Sequence, residues 1–196
     1  MIRIATAAAA AIVALAQPAA ANILVYTASM SGPAESPPNA SPGTGFVTVT
    51  IDDILDTMRV QASFSGLLAP TTAAHIHGPT AAANTGTAGV MTTTPSFVGF
   101  PLGVTSGLMD QTYDLTVSSS YNPAFLTASG GTPATAQAAL MANIAAEKAY
   151  FNIHTTTFPG GEIRGFLNAV TETPEPASMA LFGVGLLGLV ASRRRA

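Results

Sequence analysis

Apolar and polar residues alternate with a period of two in the central part of the chain, most clearly in residues 45–51 and 57–64. Successive side chains of a β-strand point to opposite faces, so this alternation predicts two half-buried strands. The polar segment 52–57 between them predicts a turn. We therefore expect an antiparallel hairpin, which belongs to a sheet with one buried face.

Other segments of the chain give weaker but consistent signals. Further strands are predicted in segments 22–30, 73–77, 112–117 and 149–155. A proline-rich loop is predicted at 31–42. Segment 81–107 is rich in Gly, Thr and Ala and predicts a long loop with short strands. One helix is expected at 134–146, with Thr132 as its cap and Pro133 at its first position, and a helical turn is expected at 122–123.

Residues 1–21 have the pattern of a secretory signal peptide. Arg3 precedes an apolar run, and Ala19 and Ala21 provide the small-residue spacing of a cleavage site before Asn22. We expect signal peptidase to cleave there and the body of the protein to be exported. A buried N-terminal helix is the alternative interpretation of this segment.

The C-terminal segment 174–196 has the composition of a sorting tag. A polar tripeptide and a basic cluster flank one apolar run, and these two groups are Pro174, Glu175, Pro176, Arg193, Arg194 and Arg195. The apolar run at 177–191 predicts a short hydrophobic helix, below the roughly 20 residues of a comfortable membrane span. Basic residues stay on the cytoplasmic side of a membrane. We therefore expect this segment to anchor the protein transiently in the inner membrane.

Between the two terminal segments, residues 22–173 are expected to form one domain. This body has three basic and nine acidic residues, a net charge of −6, which excludes the electrostatic surface that nucleic acid requires. The chain has no cysteine, so the exported domain must rely on a packed core. With many Thr, Ser, Gly and Pro residues, it is predicted to be all-β: a single Greek-key-like antiparallel β-sandwich with one short helix.

All three histidines fall in two predicted strands. His75 and His77 are two residues apart and therefore share one face, and His154 lies in the strand at 149–155. Neutral imidazole is a common ligand of copper and zinc, so the three histidines are a candidate metal site. Glu162 is the candidate fourth ligand, or the partner that orients His154.

A Pro-Gly-Gly turn at 159–161 predicts a hairpin of strands 149–156 and 161–167. The resulting register sets His154 opposite Glu162, and Asn152 opposite Arg164 as a structural polar pair. The alternative interpretation is a hydrogen-bonded cluster without metal, in which Glu162 and Arg164 form an ion pair. The acidic run at 52–56 lacks the Gly and distal Glu of a calcium loop and is interpreted as a solvated turn.

Two resemblances rest on these motifs. The Pro-Glu-Pro, apolar and arginine parts resemble the PEP-CTERM sorting signal, which implies processing by an exosortase and delivery to the cell surface or exterior of a Gram-negative bacterium. The body resembles the CHRD domain of the chordin family in its landmarks, which are Gly-Pro-Ala-Glu-Ser-Pro-Pro at 32–38, Gly-Leu at 66–67, Ala-Ala-His-Ile-His-Gly at 73–78 and the segment 150–165. The resemblance implies an all-β domain whose biochemical role is poorly defined.

The expected function is therefore that of a non-catalytic surface or matrix-associated domain. It is expected to bind copper or zinc through its histidines, and an exopolysaccharide matrix is a candidate partner. The alternative is a redox metalloenzyme, because copper–zinc superoxide dismutases also place a His-x-His pair on a strand of a Greek-key sandwich. That second likeness is an analogy of motif and fold alone.

Overall fold

The computed structural model describes residues 23–170. Its eight strands are β1 Ile23–Ser31, β2 Thr44–Asp52, β3 Thr57–Ser65, β4 Thr71–His77, β5 Gly107–Asp114, β6 Tyr150–Thr155, β7 Ile163–Phe166 and β8 Asn168–Ala169. Two α-helices, α1 Pro123–Ala128 and α2 Pro133–Ala145, lie between β5 and β6, and short 3-10 turns occupy Gly32–Ala34 and Ser118–Ser120.

The strands form one antiparallel sheet in the order β4-β6-β7-β1-β2-β3-β5, with β8 paired to β1. After β3 the chain therefore crosses the sheet to the edge strand β4. It later returns to the opposite edge as β5, which lies beside β3. Near the start of β4 the sheet curls back on itself, because Thr71 N donates to Val104 O at 2.9 Å and Gly103 N donates to Thr71 O at 2.9 Å. The predicted all-β, sandwich-like class is confirmed.

The predicted hairpin at 45–51 and 57–64 is confirmed as β2 and β3, which pair in register from Thr44↔Ser65 to Asp52↔Thr57. In the turn, Asp52 Oδ1 accepts the backbone N–H groups of Ile54 and Leu55 at 3.0 and 2.9 Å. Such side-chain acceptors stabilise tight turns, so the acidic turn predicted from the sequence has a local cause.

The prediction for strand 112–117 is wrong in position. β5 spans Gly107–Asp114, because its pairing with β3 begins at Phe64↔Gly107 and ends at Thr57↔Asp114. Asp114 then accepts both the N–H and the hydroxyl of Thr116, at 2.7 and 2.6 Å, and this local turn ends the strand. Segment 81–106 forms no strand; its backbone pairs with the rest of the domain through single hydrogen bonds and isolated bridges, among them His77↔Val90 and Thr92↔Tyr121.

The helix predicted from the sequence is α2. Thr132 caps it in a reciprocal pair with Thr135, Pro133 opens it, and one face is buried through Ala136, Leu140 and Ile144. The shorter helical turn is α1, where Asn122 Oδ1 accepts the N–H of Ala124 at 2.8 Å. The two helices pack against each other and close one end of the core.

The apolar residues that alternate with the histidine face are buried, as the sequence predicts. Ile76, Phe151 and Ile153 are all fully inaccessible to solvent, and Phe151 stacks on Phe97 with ring centroids 5.9 Å apart. They belong to the hydrophobic core that the described residues form beneath the sheet.

Replacing Phe151 by Ala is expected to lower the free energy of unfolding by about 3–5 kcal/mol, because the cavity left in a packed core closes only in part. Chemical denaturation monitored by circular dichroism measures this loss. The matched control is Phe46→Ala, since Phe46 is 46 % exposed and its loss leaves no cavity. A loss below about 1 kcal/mol for Phe151→Ala would contradict the assignment of strand faces.

Residues 1–22 and 171–196 lie outside the described part of the chain, and so do the predicted signal peptide and sorting tag. Between residues 23 and 170, no helix is long and apolar enough to cross a membrane.

Candidate metal centre

The histidine face is built by two neighbouring strands. β4 pairs antiparallel with β6 so that His75 stands opposite Asn152, His77 opposite Tyr150, and Ala73 opposite His154. Side chains two apart on a strand share a face, so all three imidazoles project from the same side of this pair. The alternate residues of both strands enter the core, which fixes the face on which the histidines stand.

The three imidazoles converge on one point. Their ring centroids lie 5.3 to 5.6 Å apart, and one ligand atom from each ring falls within 4.8 Å of the others. The closest approach joins His77 Nε2 and His154 Nε2, at 3.3 Å. Within residues 23–170, this is the one group of three or more His, Cys, Asp or Glu side chains with that geometry.

The opposite nitrogen of each ring faces a backbone carbonyl. His75 Nε2 lies 2.8 Å from Pro95 O, His77 Nδ1 lies 3.0 Å from Ala88 O, and His154 Nδ1 lies 3.0 Å from Pro159 O. A carbonyl oxygen can only accept, so each of these ring nitrogens carries the proton. The remaining nitrogens, Nδ1 of His75 and Nε2 of the other two rings, therefore present lone pairs.

Burial keeps these rings neutral. His75, His77 and His154 are 6, 8 and 9 % exposed. Desolvation lowers the pKa of His75 and of His77 to about 4, and it also lowers the pKa of His154. At neutral pH the cluster is therefore a set of three neutral nitrogen donors, the form in which histidine binds a metal.

The spacing of the donors fits a transition metal. Zinc–nitrogen bonds of about 2.0–2.1 Å in a tetrahedral arrangement place two ligand nitrogens about 3.3 Å apart. The two Nε2 atoms of His77 and His154 have this separation already. His75 Nδ1 is a buried atom without a hydrogen-bond partner, as expected of a donor whose partner would be the ion. Nitrogen donors favour copper and zinc over magnesium and calcium.

A stack of side chains supports the ring of His77. Tyr150 lies parallel to it, with centroids 5.0 Å apart and planes inclined by 9°, and the Arg164 guanidinium lies 4.7 Å above the Tyr150 ring. The Tyr150 hydroxyl also contacts the backbone of Ala88, whose carbonyl accepts the hydrogen bond from His77 Nδ1. The position of His77 is therefore fixed from both its edge and its face.

Glu162 makes other contacts than those predicted for it. It is fully buried, and its carboxylate accepts from Ser41 Oγ at 2.6 Å, Leu68 N at 2.6 Å and Thr155 Oγ1 at 2.7 Å. It is not a member of the histidine group, and the oxygen that orients His154 is the carbonyl of Pro159. Glu162 instead joins three segments of the chain beside the site.

Arg164 stands opposite Asn152, as the predicted hairpin register requires. Its ion-pair partner is Glu35, at 3.8 Å, so the Glu162–Arg164 pair of the alternative interpretation is corrected. Arg164 also donates to Ala34 O at 2.6 Å and to Gly86 O at 3.0 Å, which ties two loops to β7.

Glu35, the ion-pair partner of Arg164, is a buried polar residue that the sequence did not indicate. It follows the 3-10 turn in the proline-rich loop, where nothing in the pattern indicates burial. Desolvation raises the pKa of Glu35 to about 7, against the opposing charge of Arg164. Its Oε1 and the Oδ1 of Asn152 are both buried without a partner, and a side chain at Gly161, whose φ is +131°, would collide with both groups.

Comparison with known protein families separates the β domain from the C-terminal segment. The family model described as the CHRD domain matches residues 26–167, and that of the PEP-CTERM protein-sorting motif matches residues 172–195. The sorting motif indicates export through an exosortase in a Gram-negative bacterium. No curated protein and no solved structure shows significant similarity to the chain.

Proposed function

Because the chain belongs to the CHRD domain family and ends in an exosortase sorting motif, we propose that it is an exported, non-catalytic surface domain that binds one copper or zinc ion. The ligands are His75, His77 and His154. Metal binding would join β4 to β6 beyond their backbone pairing, and it would hold the loops that contact the rings.

One observation carries this proposal: a nitrogen from each of the three buried imidazoles lies within 4.8 Å of the other two, and each ring also contacts a backbone carbonyl. A purely structural cluster would pair these nitrogens with donors. Among the described residues, His75 Nδ1 has no such donor, and the two Nε2 atoms, 3.3 Å apart, are both acceptors because the Nδ1 atoms carry the protons. A cation satisfies all three nitrogens at once.

Calorimetric titration of the metal-free protein with copper or zinc at pH 7.5 is expected to give one site with a Kd below about 10 μM. Magnesium and calcium are expected not to bind at this concentration, because the donors are nitrogens. Each single change of His75, His77 or His154 to Ala is expected to weaken binding by a similar large factor. Affinity is expected to fall as pH is lowered, because protons compete for the same lone pairs.

The matched control is Asp52→Ala, in a turn far from the histidines in the sheet, which is expected to leave the affinity unchanged. Circular dichroism of each histidine variant separates loss of a ligand from loss of the fold. No copper or zinc binding tighter than about 10 μM in the folded protein would contradict the metal proposal and leave a hydrogen-bonded cluster. Dismutation of superoxide by the copper-loaded protein, above that of free copper, would instead support the redox alternative.

The domain organisation proposed is a signal peptide at 1–21, the β domain at 22–173 and the sorting tag at 174–196. In a host that has an exosortase, the mature protein is expected to begin at Asn22 and to lack the tag. Replacing Pro174 and Glu175 by Ala is expected to leave an unprocessed form in the inner membrane. Intact-mass measurement checks both ends, and secreted protein that retains Arg193–Arg195 would contradict the prediction.

The exopolysaccharide matrix is the partner proposed for the released domain.

A further inference from the structure

The solvent-facing side of the sheet carries a shallow cleft along β3. Two adjoining hollows of about 630 and 400 Å³ share Phe46, Ser63 and Leu108. Phe46 pairs with Ser63, and Ser63 pairs with Leu108, so the two apolar side chains stand on either side of the serine. Adjacent strands are about 4.8 Å apart, which sets the walls about 10 Å from each other.

The apolar walls are unusually exposed for residues of a sheet. Phe46 is 46 % exposed and Leu108 is 79 % exposed, while the floor and ends of the cleft are hydroxyl and amide groups. These uncharged polar groups belong to Thr44, Thr48, Gln61, Ser63, Ser65 and Ser106.

The one carboxylate that lines the cleft is already neutralised. Asp110 receives two hydrogen bonds from Arg59, at 2.7 and 2.6 Å, and a third from Gln61 at 3.1 Å. The described residues as a whole carry three basic and eight acidic side chains, so an anionic polymer would be repelled. An uncharged occupant meets no such barrier.

Two other kinds of occupant fit this cleft poorly. β2 and β3 are hydrogen-bonded on both sides, so a peptide cannot add a strand between Phe46 and Leu108, and one added at the edge of β5 would lie beside the cleft and not in it. A second copy of the chain would find only two exposed apolar side chains among hydroxyl groups, whereas stable interfaces bury about 1,200–2,000 Å² in total.

We propose that this cleft binds a linear, uncharged polysaccharide. Sugar rings have apolar C–H faces and polar hydroxyl edges. The faces would contact Phe46 and Leu108, and the edges would exchange hydrogen bonds with Ser63 and Gln61. The proposal deepens the matrix role given above, and it is independent of the histidine centre, which lies on the β4–β6 pair.

The test is a titration of the ¹⁵N-labelled protein, in its secreted form, with cellohexaose, laminarihexaose and maltohexaose, followed by NMR. At least one of these probes is expected to shift the amides of β2, β3 and β5 with half-saturation below about 1 mM. Phe46→Ala is expected to weaken that binding at least about tenfold, as for an aromatic anchor. The matched control is Leu55→Ala, because Leu55 is 68 % exposed in the turn outside the cleft.

Three results would overturn the proposal. The first is the absence of shifts with every neutral hexasaccharide at about 5 mM, where a millimolar site would be mostly filled. The second is binding that Phe46→Ala leaves intact. The third is a dimer in sedimentation that Phe46→Ala dissociates, which would assign the cleft to a second copy. None of these results changes the metal titration, so the two proposals fail separately.

Discussion

Replacing Glu162 by Ala is expected to lower the free energy of unfolding by about 3–5 kcal/mol, because a fully buried carboxylate leaves several partners unpaired. The donors that lose their acceptor are the Ser41 hydroxyl, the Leu68 N–H and the Thr155 hydroxyl. They belong to the loop before β2, the loop after β3 and the end of β6. One side chain therefore holds together segments that are up to 121 residues apart in sequence.

Urea denaturation measures this loss, and Glu162→Gln separates its causes. The amide keeps the shape of the side chain and one oxygen acceptor, so its loss is expected to be smaller than that of the Ala variant. The matched control is Asp110→Ala, which removes a carboxylate with an ion pair that is half exposed on both sides. A surface pair is screened by solvent, so its effect is expected to be minor. Equal losses for Asp110→Ala and Glu162→Ala would contradict the role given to Glu162.

Acid is expected to destabilise the metal-free protein in the window between pH 6.5 and pH 4. The pKa values of His75 and His77 are lowered to about 4 by burial, so the unfolded chain binds these protons more tightly than the folded chain. The stability they contribute is complete above pH 6.5 and is lost as pH falls toward 4. The difference between the unfolded pKa of 6.5 and the folded pKa of about 4 corresponds to about 3 kcal/mol for each of the two rings.

Glu35 opposes this effect. Its pKa is raised to about 7, so its contribution is present at low pH and is lost as pH rises through 7. The acid loss is therefore expected to be larger in Glu35→Gln, which cannot titrate, than in the natural protein. In that background, His75→Phe is expected to reduce the remaining pH dependence without abolishing it, because His77 and His154 still titrate. Denaturation curves in chelator at several pH values measure these slopes, and a flat profile between pH 7 and 4 in Glu35→Gln would contradict the burial of neutral histidines.

The sequence was sufficient wherever neighbouring residues decide the structure. The β2–β3 hairpin follows from alternation and from an Asp52 turn, and α2 follows from its Thr132 cap and Pro133. The Pro-Gly-Gly turn likewise predicts the register that sets Asn152 opposite Arg164. These features depend on chain-local hydrogen bonds and on a side-chain period of two or 3.6, which a sequence displays directly.

Contacts between segments that are distant in sequence could not be predicted from such local patterns. The limits of β5 depend on its pairing with β3, which is more than 40 residues earlier, and the strand was therefore placed too late from local composition. The Glu162–Arg164 ion pair of the alternative interpretation is wrong for the same reason, because the actual partner, Glu35, is 129 positions away in a loop whose burial no periodic pattern indicates.

By itself, the sequence determined which residues could form the site: three histidines, two on one strand face and one on another, each backed by core residues. Only the tertiary structure decided that they meet, because the β4–β6 pairing crosses more than 70 residues of chain. It also decided which nitrogen of each ring is free, since the carbonyls of Pro95, Ala88 and Pro159 arrive from loops. Strand faces are set by local side-chain alternation, but the convergence of lone pairs depends on packing across the whole sheet.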